Sequence, residues 1–190
     1  TILDFSPIRN TPFGEKIVAI ASTPTTAPTA WALMLVNLVN GYSVDETVNE
    51  RDFNPLFRWF LRTCEQYQTY ERADLFALLK EHPYFAKDAS DHMKQNVVDS
   101  LKIILATTPL GSDNILSEID YTMKNDKYTL NSVTRTFWYT PVPEVILYAL
   151  YKFAEACGDY HQFTLSYLMD ESIERDGFSP TTIFGLDRET

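Results

Sequence analysis

The sequence predicts a mainly helical fold carrying one small β-hairpin, and three observations point there. Apolar residues recur at three- and four-residue spacing through most of the chain. Proline, serine or threonine opens several of these stretches, and glycine or proline closes them. One stretch, YTMKNDKYTL from Tyr121 to Leu130, alternates instead, around Asn125-Asp126, a pair that tolerates the positive φ of a tight hairpin turn.

The first 27 residues read as turn-rich, with Pro7, Pro12, Pro24 and the run STPTTAPT, and TPFGEKIVAI as a short helix between two loops. Pro28 and Thr29 open TAWALMLVNLVNG, with Gly41 as its C-cap. Its apolar residues cover every side, which predicts a buried helix. FNPLFRWFLRTCEQY follows, with Phe53, Leu56, Phe57, Phe60, Leu61, Cys64 and Tyr67 in one stripe and Arg58, Arg62 and Glu65 opposite. In ERADLFALLKEH the inward positions are Leu75, Leu78 and Leu79. In SDHMKQNVVDSLKIILAT, Ser90 is the N-cap, Met93, Val97, Leu101, Ile104 and Leu105 form the stripe, and Pro109 with Gly111 ends the helix. After the hairpin, RTFWY (Arg135 to Tyr139) reads as a third strand, PVPEVILYALYKFAEACG as a helix and QFTLSYLMDE as a short one. Ser179-Pro180 opens a last turn that carries Ile183 and Phe184.

Three helices followed by a lysine-tipped hairpin is the outline of a winged helix-turn-helix. Residues 53–140 therefore read as a winged helix-turn-helix-like unit, preceded by a loop and buried helix (1–52) and followed by a helical C-terminal lobe (141–190). The aromatic residues Phe57, Trp59, Phe60, Phe76, Trp138 and Tyr148 are expected in the core.

The net charge of −10 speaks against a protein that coats nucleic acid. Its distribution is uneven: −3 over residues 1–50, −1 over 51–142 and −6 over 143–190. The hairpin-bearing unit is thus nearly neutral and the acidity lies in the C-terminal lobe. The longest apolar run, Ala30 to Val36, is far too short for a bilayer span, and no secretory signal precedes it. The expectation is a cytoplasmic protein away from membranes, and the start at Thr1 suggests a piece of a longer chain. Cys64 and Cys157 read as buried thiols of a reducing compartment.

No phosphate loop, dinucleotide fingerprint, HExxH or GxSxG is present, and Ser112-Asp113-Asn114 reads as a solvated turn. His82, His92 and His161 stand alone, without cysteine pairs, so neither a metal nor a cofactor site is expected. The chain reads as a non-enzyme with no catalytic residues. If it binds double-stranded DNA, the candidates are His92, Lys94 and Gln95 on the third helix and Lys124 and Lys127 on the hairpin. Asp91 and Asp99 oppose that reading. Asp170, Glu171 and Glu174 are the candidates for docking a basic protein partner, and an acidic DNA mimic is the remaining alternative.

Several segments together carry a resemblance. FRWFLRTC, ADLFALLKE and MKQNVVDSLKIIL resemble the middle of an uncharacterised bacterial family known as domain of unknown function 4007. TPLGSDNILSEI and PVPEVILYALYKFAE resemble its next part, LSYLMDE with DGFSPTTIFGLDRE its ending, and TPFGEKIVAI with TAWALML its entry. The resemblance implies a helical protein of winged-helix character, encoded among DNA-modification and phage-defence genes such as those of DNA phosphorothioation. It implies no catalytic set. The family's N-terminal segment, with its Gly-His-Glu-Thr-Phe-like motif, has no counterpart here. The function expected is an accessory role in a DNA-modification or phage-defence system, exerted through DNA or protein contacts.

Overall fold

The structure is a computed structural model that describes residues 3–5, 8–40, 54–81, 90–158, 162–169 and 177–186. Gly41, Phe53, His82, His161, Asp170, Glu171 and Glu174, to which the sequence assigns roles or exclusions, lie outside the described residues. The described part is mainly helical, with a small three-stranded antiparallel sheet and a separate two-stranded one.

The smaller sheet stands where the sequence reads as a turn-rich loop before the first helix: β1 (Leu3–Phe5) pairs antiparallel with β2 (Ile8–Asn10). Helix α1 (Pro12–Ala21) begins where Thr11 accepts a hydrogen bond from the Gly14 amide at 3.1 Å and Pro12 supplies a preset φ. Helix α2 (Ala27–Asn40) buries Ala30, Ala32, Leu35, Val36, Val39 and Asn40. It is not buried all round, because Trp31, Leu33, Met34 and Leu38 remain half-exposed. Helix α3 (Asn54–Thr63) delivers Leu56, Phe57, Trp59, Phe60 and Leu61 to the core, followed by Cys64. Tyr67 does not continue that stripe: the helix has ended, and Tyr67 sits at φ 62°.

β3 (Thr69–Glu71) comes next, then α4 (Arg72–Glu81), whose first turn Asp74 caps by accepting from the Glu71 amide at 2.8 Å. Helix α5 (Asp91–Thr107) starts on Ser90, which accepts from the Met93 amide at 3.2 Å. Pro109 and Gly111 do not simply end it. They form a single further turn, α6 (Pro109–Ser112), that folds back on α5. A Cβ on Gly111 would lie 2.2 Å from the Leu105 carbonyl oxygen, so only glycine permits that return.

The hairpin is β4 (Glu118–Lys124) and β5 (Lys127–Thr134), closed by Asn125 and Asp126 at φ 51° and 58°. Two successive positive φ values define the turn whose twist matches a β-ribbon. The third strand is not RTFWY. β3 pairs with β5, Tyr70 opposite Val133, giving the order β3-β5-β4. RTFWY adds no strand of its own: Arg135 continues the line of β5 by exchanging backbone hydrogen bonds with Tyr67 and Gln68, after which the Trp138 amide donates to the Phe184 carbonyl at 2.8 Å.

Helices α7 (Pro143–Ala156), α8 (Leu165–Met169) and α9 (Pro180–Phe184) complete the described chain. Ser179 caps α9 by accepting from the Thr182 amide at 3.1 Å, and Gly185 at φ 64° ends it. A Cβ there would lie 2.8 Å from the Thr136 carbonyl oxygen.

The three segments expected from the sequence share one core. Residues of α2, α3, α4, α5, the sheet, α7 and α9 form a single buried cluster that includes Phe57, Trp59, Phe60 and Trp138, with Tyr148 packed against it. Polar side chains stitch its late segment in. Asn40 donates through Nδ2 to the Phe178 carbonyl at 2.8 Å and accepts from the Phe178 amide at 2.7 Å. The guanidinium groups of Arg58 and Arg62 lie 5.2 and 5.1 Å from the centre of the Phe178 ring. Replacing Asn40 with Ala leaves a buried amide and a buried carbonyl without their partner. Asn40→Ala is expected to cost about 2–4 kcal/mol in urea denaturation, and a loss under about 0.5 kcal/mol would show that the clasp is dispensable.

Candidate functional site

The sequence points to α5 and the hairpin, and the two differ in what they present. Both stripes on α5 include Leu101 and Leu105, but the buried face runs through Lys94, Val98 and Lys102 instead of Met93, Val97 and Ile104. Met93, Val97 and Ile104 are only half-buried and Ile103 is exposed. The physical reason is that a lysine stem is four methylenes long and packs like an aliphatic chain, while its ammonium finds a polar site. For Lys102 that site is Asp99, at 2.8 Å, one helical turn away. Asp99 also faces Arg72 of α4 at 3.7 Å, so its charge ties two helices together.

Lys94 is 7% exposed, and its ammonium has no hydrogen bond or ion pair with a described residue. It is therefore not on the outward face with the other DNA-contact candidates. The exposed residues at the start of α5 are Asp91, His92, Gln95 and Asn96. They can donate and accept hydrogen bonds, but no lysine or arginine is among them.

Lys124 and Lys127 are exposed and face each other across the last pair of the hairpin. Glu118, Asp120 and Asp126 are exposed on the same ribbon, so it carries more acid than base. Its core-facing side extends beyond the core: the rings of Tyr121 and Tyr128 meet edge to face at 5.3 Å, and Met123 is 61% exposed. The remaining arginines nearby are occupied. Arg58 donates to the Val39 carbonyl at 2.7 Å, and Arg135 is buried.

Among the described residues, no group of three His, Cys, Asp or Glu side chains could hold a metal ion. The shifted titrations move away from neutrality. Burial pushes the Cys64 thiol up to about 12, outweighing the pull of the nearby Arg135 guanidinium. Burial likewise raises Tyr148 to about 12. The hydrogen bond from Lys152 lowers Glu155. None of these groups is brought toward the pH where acid–base catalysis works. Ser112 donates to Asp113 at 2.9 Å within an exposed turn.

One surface feature carried no sequence signal. Tyr67, 58% exposed, lies edge-on to Phe137 at 6.1 Å, and Phe137 meets Tyr139 at 3.9 Å. Gln66-Tyr67-Gln68 contains no glycine or asparagine to announce a left-handed residue, and a bulky side chain rarely adopts one. No protein-family model, curated protein or solved structure matches this chain.

Two outcomes follow from these geometries. The left-handed backbone at Tyr67 costs a side chain about 1 kcal/mol, so Tyr67→Gly is expected to hold or raise the denaturation midpoint. A clear drop would mean that the ring packing outweighs the strain. The second outcome concerns pH. Both raised groups are held neutral in the fold, so the unfolded chain releases their protons first as pH rises from 9 toward 12. Their contribution is complete below about pH 9 and is lost through that window. A denaturation series there should show falling stability, less steeply for Cys64→Ala, and Cys64 should react with thiol reagents only on unfolding.

Proposed function

We propose that residues 54–134 form a winged helix and that the chain is a non-enzymatic accessory protein acting by macromolecular contact, with protein rather than with a DNA duplex. Among the described residues the order α3, β3, α4, α5, the single turn α6, β4, β5, with β5 between β3 and β4, supports the winged-helix reading. The observation that carries the protein-contact reading is the inward packing of Lys94 and Lys102. A helix that enters the major groove presents cations to phosphates at its edges. This one keeps its lysines in or beside the core and leaves Asp91 outside. The resemblance of the chain's segments to domain of unknown function 4007 is the basis for setting this role within a DNA-modification or phage-defence system.

A second reading rests on Lys124 and Lys127, which are exposed at the hairpin tip and could meet phosphates without help from α5. Fluorescence anisotropy with a random duplex across a salt series separates the two. The protein-contact reading expects no binding near physiological salt. Binding that falls steeply with salt would overturn it in favour of the second reading. In that case the double variant Lys124→Glu, Lys127→Glu should weaken binding and flatten the slope by about 2, close to 0.9 for each lost phosphate contact.

A further inference from the structure

β4 is an edge strand. Among the described residues it pairs only with β5, on one side, over seven residues from Glu118 to Lys124. Soluble proteins usually blunt such an edge with proline, a very short strand, a bulge, an inward-pointing charge or charged side chains, and of these β4 itself carries only the charges, Glu118, Asp120 and Lys124 on its outer row. β4 has no proline, and its core-facing row is Ile119, Tyr121 and Met123, opposite Val133, Leu130 and Tyr128. The irregularity in the ladder does not spoil it, because the extra residue is Asn131 on β5. β4 keeps its alternation throughout.

The sequence of this edge is complementary to itself. Laid antiparallel against a second copy and centred on Tyr121, EIDYTMK places Glu118 opposite Lys124, Ile119 opposite Met123 and Asp120 opposite Thr122. Two opposite-charge pairs then lie on the outer face, and the two exposed apolar rows join on the inner one. No like charges stand directly opposite each other across the new junction, and the two copies of Asp120 meet only on the diagonal, each opposite a Thr122. Within a single copy the situation is worse, since Lys124 stands opposite Lys127. A second copy brings Glu118 to that crowded positive end.

We infer that two copies of the chain associate antiparallel through β4, making one continuous sheet ordered β3-β5-β4-β4-β5-β3 about a two-fold axis at Tyr121. The arrangement is isologous, so it closes as a dimer rather than growing into a filament. The interface is short and polar on one side, so association is weak and falls as salt screens the two ion pairs. It does not depend on whether the chain contacts DNA.

Sedimentation of the whole chain over a concentration series, up to the millimolar range and at low and high salt, tests this. The wild-type chain is expected to form a dimer that weakens with salt. Lys124→Glu and Glu118→Lys each replace two attractive pairs with two repulsive ones and should weaken association about tenfold or more. Mixed one to one, the two variants restore both pairs and should associate as heterodimers. Both positions are exposed, and Lys124→Glu removes the clash with Lys127, so the variants should fold, as near-UV circular dichroism would verify. A chain monomeric at every concentration overturns the inference and leaves the edge to some other extended peptide. A dimer indifferent to Lys124→Glu, or variants that weaken but fail to complement each other, overturns it as well.

Discussion

The structure is organised around a buried cation. Arg135 is 1% exposed, and its guanidinium donates to the Cys64 carbonyl at 3.2 Å and to the Thr182 carbonyl at 2.7 Å while lying 5.7 Å from the centre of the Phe60 ring. Burying a charge is costly unless hydrogen bonds and an opposing potential offset it. Both carbonyls belong to helix ends, Cys64 just past α3 and Thr182 in the last residues of α9, where unsatisfied carbonyl oxygens gather partial negative charge. The same residue's backbone accepts from the Tyr67 amide and donates to Gln68, extending the line of β3 and β5 past the sheet. One side chain and one peptide unit thus hold the exit of α3, the end of the sheet and the late turn α9 in a single arrangement. They also account for the left-handed Tyr67, whose amide is held at 2.9 Å by the Arg135 carbonyl.

Charge placement sets what the surface can do. Besides the net charge of −10, the cations of α3, α4 and α5 are engaged by neighbouring groups of the fold or packed into it. Arg58 and Arg62 clamp Phe178, Arg72 and Lys102 converge on Asp99, Lys94 is buried, and Arg135 bridges helix ends. What remains outside on the hairpin and α5 is mixed polar surface with exposed Tyr121 and Met123. That surface is the basis of the proposed protein contact.

Features written in local chemistry were legible in the sequence. Asn125-Asp126 gave the hairpin, Ser90 the start of α5, and Ser179-Pro180 the start of α9, because each feature depends on residues adjacent to it. Features that depend on distant partners were not legible. β3 is three residues long, and nothing in Thr69-Tyr70-Glu71 distinguishes it from a loop until β5 lies beside it. The face of α5 was legible only to within a fraction of a turn, since sorting residues by type sends lysines outward. Lys102 goes inward because Asp99 and a packed stem make that possible. Of the candidate site, the exposure of Lys124 and Lys127 follows from their place beside the turn. The Tyr67, Phe137 and Tyr139 cluster arises from a backbone conformation no local residue announces.

The clasp between Asn40 and Phe178 also bears on how the chain is made. Its two halves are separated by 138 residues, a span a ribosome needs roughly 7–30 s to cover. At the start of that interval α2, and soon after it α3, are synthesised with apolar faces that residues 178–184 help to cover. Long-range closure of this kind slows folding and lengthens the exposure of sticky intermediates. The core contacts of residues 178–184 are therefore among the last that can form as the chain grows, and the Asn40 amide waits for them without its buried partner.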